Sequence, residues 1–361
     1  MSTGKTKNGT WYASVRYTDW TGKRVQKKKS GFKLEREAKQ WEKEFLAKQT
    51  LSPDMTFQSL YELYIDDCKQ RLKPTTLYTK QGVFKNRILP YFKDRKINEI
   101  KPVDIRNWQN AIMTPHNGKK FVPTYLRVLN QSLSTIFNFA IKYYGLQKNP
   151  VRIAGTIGKP KRDSMQFWTV QEFNTFKNAL SPQSTAYLIF TLLFYTGMRI
   201  GELRALTFAD IDETAKTIRI NKTYARINRT DYIQSPKTAK SNRTIPIPPF
   251  LVDMIKEYKK TLYKPKNNER IFEFSKTWLN KTMKNACLKA GVKKIRIHDL
   301  RHSHASLLID MGFSPLLIRE RLGHEDIQTT LNTYSHLYPN KQDVMIAKLE
   351  ALSHEGKYPE Q

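Results

Sequence analysis

The hydrophobic period of this chain changes near residue 33, and that change constrains its architecture more than any other feature. Between residues 11 and 18, Trp11, Ala13, Val15 and Tyr17 alternate with Tyr12, Ser14, Arg16 and Thr18, the period of a half-buried strand. Asp19 to Gly22 supply turn residues, and Lys23 to Phe32 predict a second strand with Lys27, Lys28 and Lys29 in a row. From Leu34 to Gln49 the period becomes helical, with Leu34, Ala38, Trp41 and Phe45 near one face. Residues 1–50 are therefore expected to form a small sheet backed by one helix.

Past Ser52, Pro53 and Asp54, the positions Phe57, Leu60, Tyr61, Tyr64, Ile65 and Cys68 recur at the spacing of a buried helix face. Pro74 predicts the start of a second helix, and Pro90 follows its last apolar residues. Lys101 to Met113 predict a third, carrying Ile105, Trp108 and Ile112. The longest stripe, Leu126, Leu129, Leu133, Ile136, Phe137, Ala140 and Tyr144, ends before Gly145 and Pro150. Residues 56–150 thus predict a four-helix domain. Residues 151–164, with Gly155, Gly158, Lys159, Pro160, Lys161 and Arg162, predict a basic linker. Residues 165–361 are expected to be mostly helical with one β insertion, Thr217 to Ala225, Tyr232 to Gln234 and Arg243 to Ile247, closed by Pro246, Pro248 and Pro249. The fold class is multidomain and mainly α with small β elements.

Sixty-three Lys and Arg stand against 32 Asp and Glu, a formal charge of +31, where solubility asks for roughly 2 to 8. A polyanionic partner is implied. Nucleic acid is preferred to an acidic membrane, because the longest uncharged apolar stretch, Thr185 to Met198, is shorter than the roughly 20 residues of a span. No signal-peptide pattern opens the chain. The first fifty residues hold thirteen basic and five acidic side chains, so their ribbon suits a DNA groove, cations on phosphates and alternate side chains at base edges. Cys68 and Cys287 lie far apart without Cys-x-x-Cys spacing, which argues against a disulfide framework or a cysteine zinc site and fits a reducing cytoplasm.

Three clusters can carry chemistry. In Tyr195-Thr-Gly-Met-Arg199-Ile-Gly-Glu202, an Arg at the break between two helices can reach outward as a fork for two phosphate oxygens, with Glu202 one turn on to orient it; an ordinary surface Arg–Glu pair is the plainer reading. In Arg296-Ile-His298-Asp-Leu-Arg301-His302-Ser-His304, one helical turn points His298 and Arg301 the same way. These three histidines lack a nearby Cys or a His-Glu-x-x-His pattern, so no metal is expected. In Leu322-Gly323-His324, Ser314 and Pro315 open a helix that Gly323 closes, leaving His324 at its end, and Tyr334 follows ten residues later.

The set Arg199, His298, Arg301, His324 and Tyr334, in this order and spacing, resembles the tyrosine recombinases, specifically the integrases of temperate phages and conjugative transposons. The resemblance implies an N-terminal three-stranded arm-type DNA-binding domain, a helical core-binding (SAM-like) domain and an α+β catalytic domain. It implies a site-specific DNA recombinase that integrates and excises a mobile element by metal-free transesterification, with Tyr334 as nucleophile and a 3′-phosphotyrosyl intermediate. Arg199 and Arg301 would stabilise the transition state, His298 would accept the Tyr334 proton and His324 would bond the phosphate. The family also needs a lysine in a β-hairpin, for which Lys237 is the choice and Lys240 the runner-up, acting as general acid. No cofactor is implied. His302, His304 and His336 match no essential position. Partners implied are double-stranded DNA at core and arm attachment sites, a homotetramer on that DNA, a directionality factor and a host DNA-bending protein, all in a bacterial cytoplasm. The apolar segment Asp343 to Leu352 either caps its own domain or docks on a neighbouring subunit. The alternatives are a type IB topoisomerase-like enzyme and a non-catalytic DNA-binding regulator.

Overall fold

In the computed structural model, residues 2–6, 8–18, 24–49, 55–115, 120–160, 166–236, 238–334 and 346 are described, and the chain divides into two units, Met1–Arg162 and Asp163–Gln361. The period-2 segment is strand β2 (Trp11–Thr18), flanked by β1 (Ser2–Lys5) and β3 (Arg24–Phe32) in one antiparallel sheet of order β1-β2-β3. The first strand is too short and polar to show a period; pairing along β2, Ser2 opposite Ser14, defines it. Ala13 and Val15 are fully buried on the face covered by helix α1 (Glu35–Gln49), which contributes Ala38 and Phe45. Leu34, expected on that helix face, instead precedes the helix and is exposed.

The helical part of this unit comprises α2 (Phe57–Arg71), α3 (Pro74–Val83), α4 (Leu89–Phe92), α5 (Pro102–Met113), α6 (Pro123–Tyr144) and α7 (Pro150–Ala154). Its core gathers Phe57, Phe84, Phe92, Trp108 and Phe137. The second helix does not stop at Pro90. A π-helical turn over Phe84–Ile88 joins α3 to α4, and the widened turn accommodates a ring that lacks an N–H and would clash with the preceding carbonyls. The expected linker likewise begins as structure: Asn149 caps α7, and Val151 and Ala154 join the helical core.

The C-terminal unit comprises α8 (Val170–Asn178), α9 (Thr185–Thr196), α10 (Ile200–Ala205), β4 (Ile211–Asp212), β5 (Thr217–Ile220), β6 (Thr223–Ile227), β7 (Thr230–Gln234), β8 (Arg243–Pro246), α11 (Pro249–Lys260), α12 (Lys276–Ala290), α13 (Asp299–Asp310), α14 (Pro315–Leu322) and α15 (Ile327–Tyr334). Helix α9 is apolar on all sides and lies in the core with Phe173, Phe176, Leu251 and Phe272, as a helix without a polar face must. The strand expected over Thr217 to Ala225 breaks in two. Lys222 turns inward to ion-pair with buried Asp210, so β5 joins β4 and β8 while β6 pairs with β7 as a separate hairpin. Among the described residues no helix is long and apolar enough to cross a membrane. Cys68 and Cys287 are free and buried. The segment Asp343 to Leu352 lies outside the described residues except for Ile346.

Candidate active site

The site grows from the end of α9. Gly197 closes that helix at φ 64°, and a Cβ there would stand 2.6 Å from the His304 ring, so both backbone and space demand glycine. Arg199 follows as the residue capping α10. Its backbone N–H donates to Glu202 Oε2 at 2.9 Å and its Nη1 to Oε1 at 2.8 Å. Glu202 is buried and also receives Arg243 Nη2 at 3.0 Å. Burial works to raise the Glu202 pKa, but Arg243 and then Arg199 outweigh it, and the carboxyl is held below its usual range.

Arg243 was not anticipated, although strand alternation carries the signal: it shares a face of β8 with buried Ile245. Its Nε donates to the Arg321 carbonyl at 2.8 Å and its Nη1 to the Ser241 carbonyl at 3.1 Å. Gly323, at φ 67°, lets the Lys240 carbonyl and Arg243 approach within about 3 Å of where its Cβ would stand. Arg243 therefore ties Glu202, the base of the β8 segment and the end of α14 together. Arg243→Met should lower unfolding free energy by about 3–5 kcal/mol, because a buried carboxylate loses its principal partner. Urea unfolding checks this, and a loss below about 1 kcal/mol would mean that the pairing contributes little.

Helix α13 supplies the second group. Arg296 forks onto buried Asp299 with Nη2 at 2.7 Å and Nε at 3.0 Å, fixing the helix start. Arg301 is buried; Nη1 donates to the Gly197 carbonyl at 2.9 Å and Nη2 to the Leu322 carbonyl at 2.6 Å. It thus bridges the C-terminal ends of α9 and α14, where carbonyls lack helical partners and the dipoles favour a cation. Burial, then the neighbouring charge of Arg199, holds its pKa below the guanidinium range, and it remains charged at neutral pH. His298 stands at the start of α13. Burial first, then Arg301 and Arg199, lower its pKa.

His324 follows Gly323, its Nδ1 2.9 Å from Thr330 Oγ1, and burial followed by Arg301 pushes its pKa down to about 3. Tyr334 packs against Ala305, Ile309, Ile318 and Leu322 with 1 % of its surface exposed, and burial raises its pKa. The imidazole on its hydroxyl is that of His302, Nδ1 to Oη 2.7 Å, not that of His298, whose ring lies edge-on to His302 at 5.5 Å. His304 is buried deeper and accepts Arg321 Nε at Nε2, 2.9 Å. Lys237 and His336 lie outside the described residues. Lys240 donates to the Glu325 carbonyl at 3.2 Å.

The five positions read from sequence in α9 to α15 thus converge. Arg301 is within electrostatic reach of Arg199, His298, His324 and Tyr334. Two guanidiniums, two imidazoles with lowered pKa values and a phenol around one locus are suited to an anionic phosphodiester and a nucleophilic hydroxyl. Among the described residues there is no cluster of His, Cys, Asp and Glu able to hold a metal ion. The additions made by the fold are Arg243, which carries no motif of its own, and His302, one helical turn beyond His298 at i, i+4.

Comparison with known proteins bears on this arrangement. Residues 165–341 match the phage integrase family profile, residues 56–113 the phage integrase N-terminal SAM-like domain, and residues 2–49 the arm DNA-binding domain. The chain is 28% identical over 374 residues to the ICEBs1 integrase of Bacillus subtilis (strain 168), covering 98% of this chain and 100% of that protein. It is 35% identical over 174 residues to the integrase of Staphylococcus phage L54a, covering 44% of this chain and 49% of that one. Its fold is similar to that of the Tn1549 transposon integrase in complex with a circular intermediate DNA, with TM-score 0.66, 21% identity, and coverage of 82% of this chain and 99% of that one. It is also similar to lambda integrase in a tetramer bound to a Holliday junction, with TM-score 0.54, 17% identity, and coverage of 90% and 95%. With three profiles in consecutive order along its length and a relative matched nearly end to end, the chain belongs to the phage integrase family of tyrosine recombinases.

Proposed function

We propose that this protein is a site-specific DNA recombinase that integrates and excises a mobile element, cutting and rejoining DNA through Tyr334. The observation that carries the reading is the placement of Arg301, held by two helix-end carbonyls, within electrostatic reach of Arg199, His298, His324 and the Tyr334 phenol. Tyr334 Oη attacks the scissile phosphorus, giving a 3′-phosphotyrosyl link and a free 5′-hydroxyl, and the 5′-hydroxyl of a partner strand reverses the step on a new strand. One phosphoester replaces another, so the exchange needs no external energy source. Arg199 and Arg301 neutralise the charge that develops on the non-bridging oxygens. His298 and His324 flank the same phosphate, His324 bonding it directly. Lys237 protonates the leaving 5′-oxygen.

DNA is engaged by the sheet domain at arm sites and by the helical and catalytic domains at core sites, with four copies bridging two duplexes. A directionality factor and a DNA-bending protein complete the assembly. The sheet domain favours recombination over simple supercoil relaxation, since relaxation needs no second class of DNA site.

A nicked core-site duplex that loses its short 5′-hydroxyl fragment traps the covalent complex. Digestion and mass spectrometry of the trapped protein are expected to place the nucleotide on the peptide containing Tyr334, with chelator present throughout. Attachment to another residue, or loss of the adduct on chelation, overturns the reading.

A further inference from the structure

Tyr334 needs a proton acceptor, and the geometry around its hydroxyl names one. Among the described residues the group in hydrogen-bond contact with Oη is Nδ1 of His302, at 2.7 Å. His298, the acceptor implied by resemblance, stands edge-on to the His302 ring, 5.5 Å between centroids, and it is His302 that holds the Tyr334 hydroxyl. Building on the assignment of Tyr334 as nucleophile, we infer that His302 is a further catalytic residue, whose Nδ1 takes the Oη proton as the oxygen–phosphorus bond forms.

The surroundings of His302 fit this role. Its ring is faced by His298, Asp299, Arg301 and Arg296 on its own segment, by Tyr334 from α15 and by His324 from the turn before it. Burial, then His298, keeps the imidazole neutral, its pKa pushed down to about 4. A neutral ring can carry the lone pair on Nδ1 and the proton on Nε2, the tautomer that accepts from a phenol. In the free protein such a ring is a weak base. A phosphodiester arriving between Arg199 and Arg301 brings a negative charge that offsets the two guanidiniums, so the basicity of His302 rises when DNA is bound. The step balances: Oη–P forms, P–O5′ breaks, the phenolic proton rests on Nδ1, and the 5′-oxygen is protonated by the general acid. In rejoining, the 5′-hydroxyl returns its proton to the deprotonated general acid as O5′–P forms, Oη–P breaks, and Tyr334 Oη recovers its proton from His302.

The test uses the full-length protein and the nicked core-site duplex in single-turnover cleavage. His302→Asn keeps an acceptor near the Nδ1 position but cannot take a proton. Its cleavage is expected to fall by roughly 10²–10⁴-fold with DNA affinity unchanged, and the rise of rate with pH in the unaltered enzyme is expected to flatten. Sulfur in place of the bridging 5′-oxygen removes the need for a general acid. That substrate is expected to rescue Lys237→Ala and to leave His302→Asn slow. Cleavage by His302→Asn within about 3-fold of the unaltered rate, or its rescue by the sulfur substrate, overturns the inference while leaving Tyr334 as nucleophile. Nitrogen-15 histidine spectra of the unaltered protein test it without a variant: Nδ1 of His302 is expected to be unprotonated, and a protonated Nδ1 donating to Tyr334 would reject it. An adduct on another residue would instead remove the reading of Tyr334 on which this one stands.

Discussion

Tyr334→Phe is expected to form no covalent adduct on the nicked duplex while binding the same DNA as tightly as the unaltered protein. The phenyl ring keeps every apolar contact with Ala305, Ile309, Ile318 and Leu322. What is lost is one hydrogen bond to His302, worth about 1 kcal/mol net, with roughly 1–3 kcal/mol more if the imidazole nitrogen is left without a partner. A domain stable by about 5–15 kcal/mol tolerates that. The hydroxyl, buried with 1 % of the residue exposed, contributes nothing to a DNA-binding surface, so affinity and cleavage should separate completely. Gel-shift titration alongside denaturing gels of the trapped product measures both, and an adduct formed by the Phe variant would show that another residue attacks.

Acid should weaken the C-terminal unit well before carboxylates titrate. His302, His304 and His324 have pKa values pushed down to about 4, about 3 and about 3, by burial first in each case and then by His298, Arg321 and Arg301 respectively. His298 is lowered too. The unfolded chain protonates its histidines near pH 6.5, whereas the folded one resists. Below that pH the unfolded state binds more protons, so stability present at neutral pH is lost as pH falls from about 6.5 toward the folded values. Each group contributes up to about 1.4 kcal/mol per pH unit, and the three together roughly 4 kcal/mol per unit. The one histidine of Met1–Arg162, His116, lies outside the described residues; with no buried histidine among those described, that unit should stay nearly level down to pH 5. Each unit holds one buried free thiol, Cys68 and Cys287, so urea unfolding followed by their exposure to a disulfide reagent active in acid reports on each separately. A C-terminal midpoint that does not move between pH 7 and 5 (expected window) would contradict the placement of these rings.

Much of this was legible residue by residue. The stripes at Phe57 to Cys68 and Leu126 to Ala140 became buried helix faces, because a face repeating every 3.6 residues has one stable use in water. The Gly197 and Gly323 breaks were legible for a similar reason: a left-handed residue ends a helix wherever it occurs. Glu202 was read as the partner that orients Arg199, and it is. What local pattern could not show is that the same carboxylate is shared with Arg243, 41 residues on. Nor could it distinguish the two arginines. Arg199 keeps about a third of its side chain exposed and is one of two partners of Glu202, so its removal should act mainly on the reaction, with a smaller cost in stability. Arg301 is built into the ends of two helices, and its removal should cost stability as well.

By itself the sequence determined the order of the elements, the excess of positive charge and the identity of the chemical groups, since period, capping and composition are properties of neighbouring residues. The tertiary structure decided which group meets which: that His302 rather than His298 touches Tyr334, that Glu202 serves two guanidiniums, and that burial lowers the pKa of four histidines. The physical reason is one of range. Backbone preference is settled within a few residues, whereas hydrogen-bond partners and burial depend on side chains brought together from α9, α10, β8, α13, α14 and α15, and only the packed core sets the distances between them.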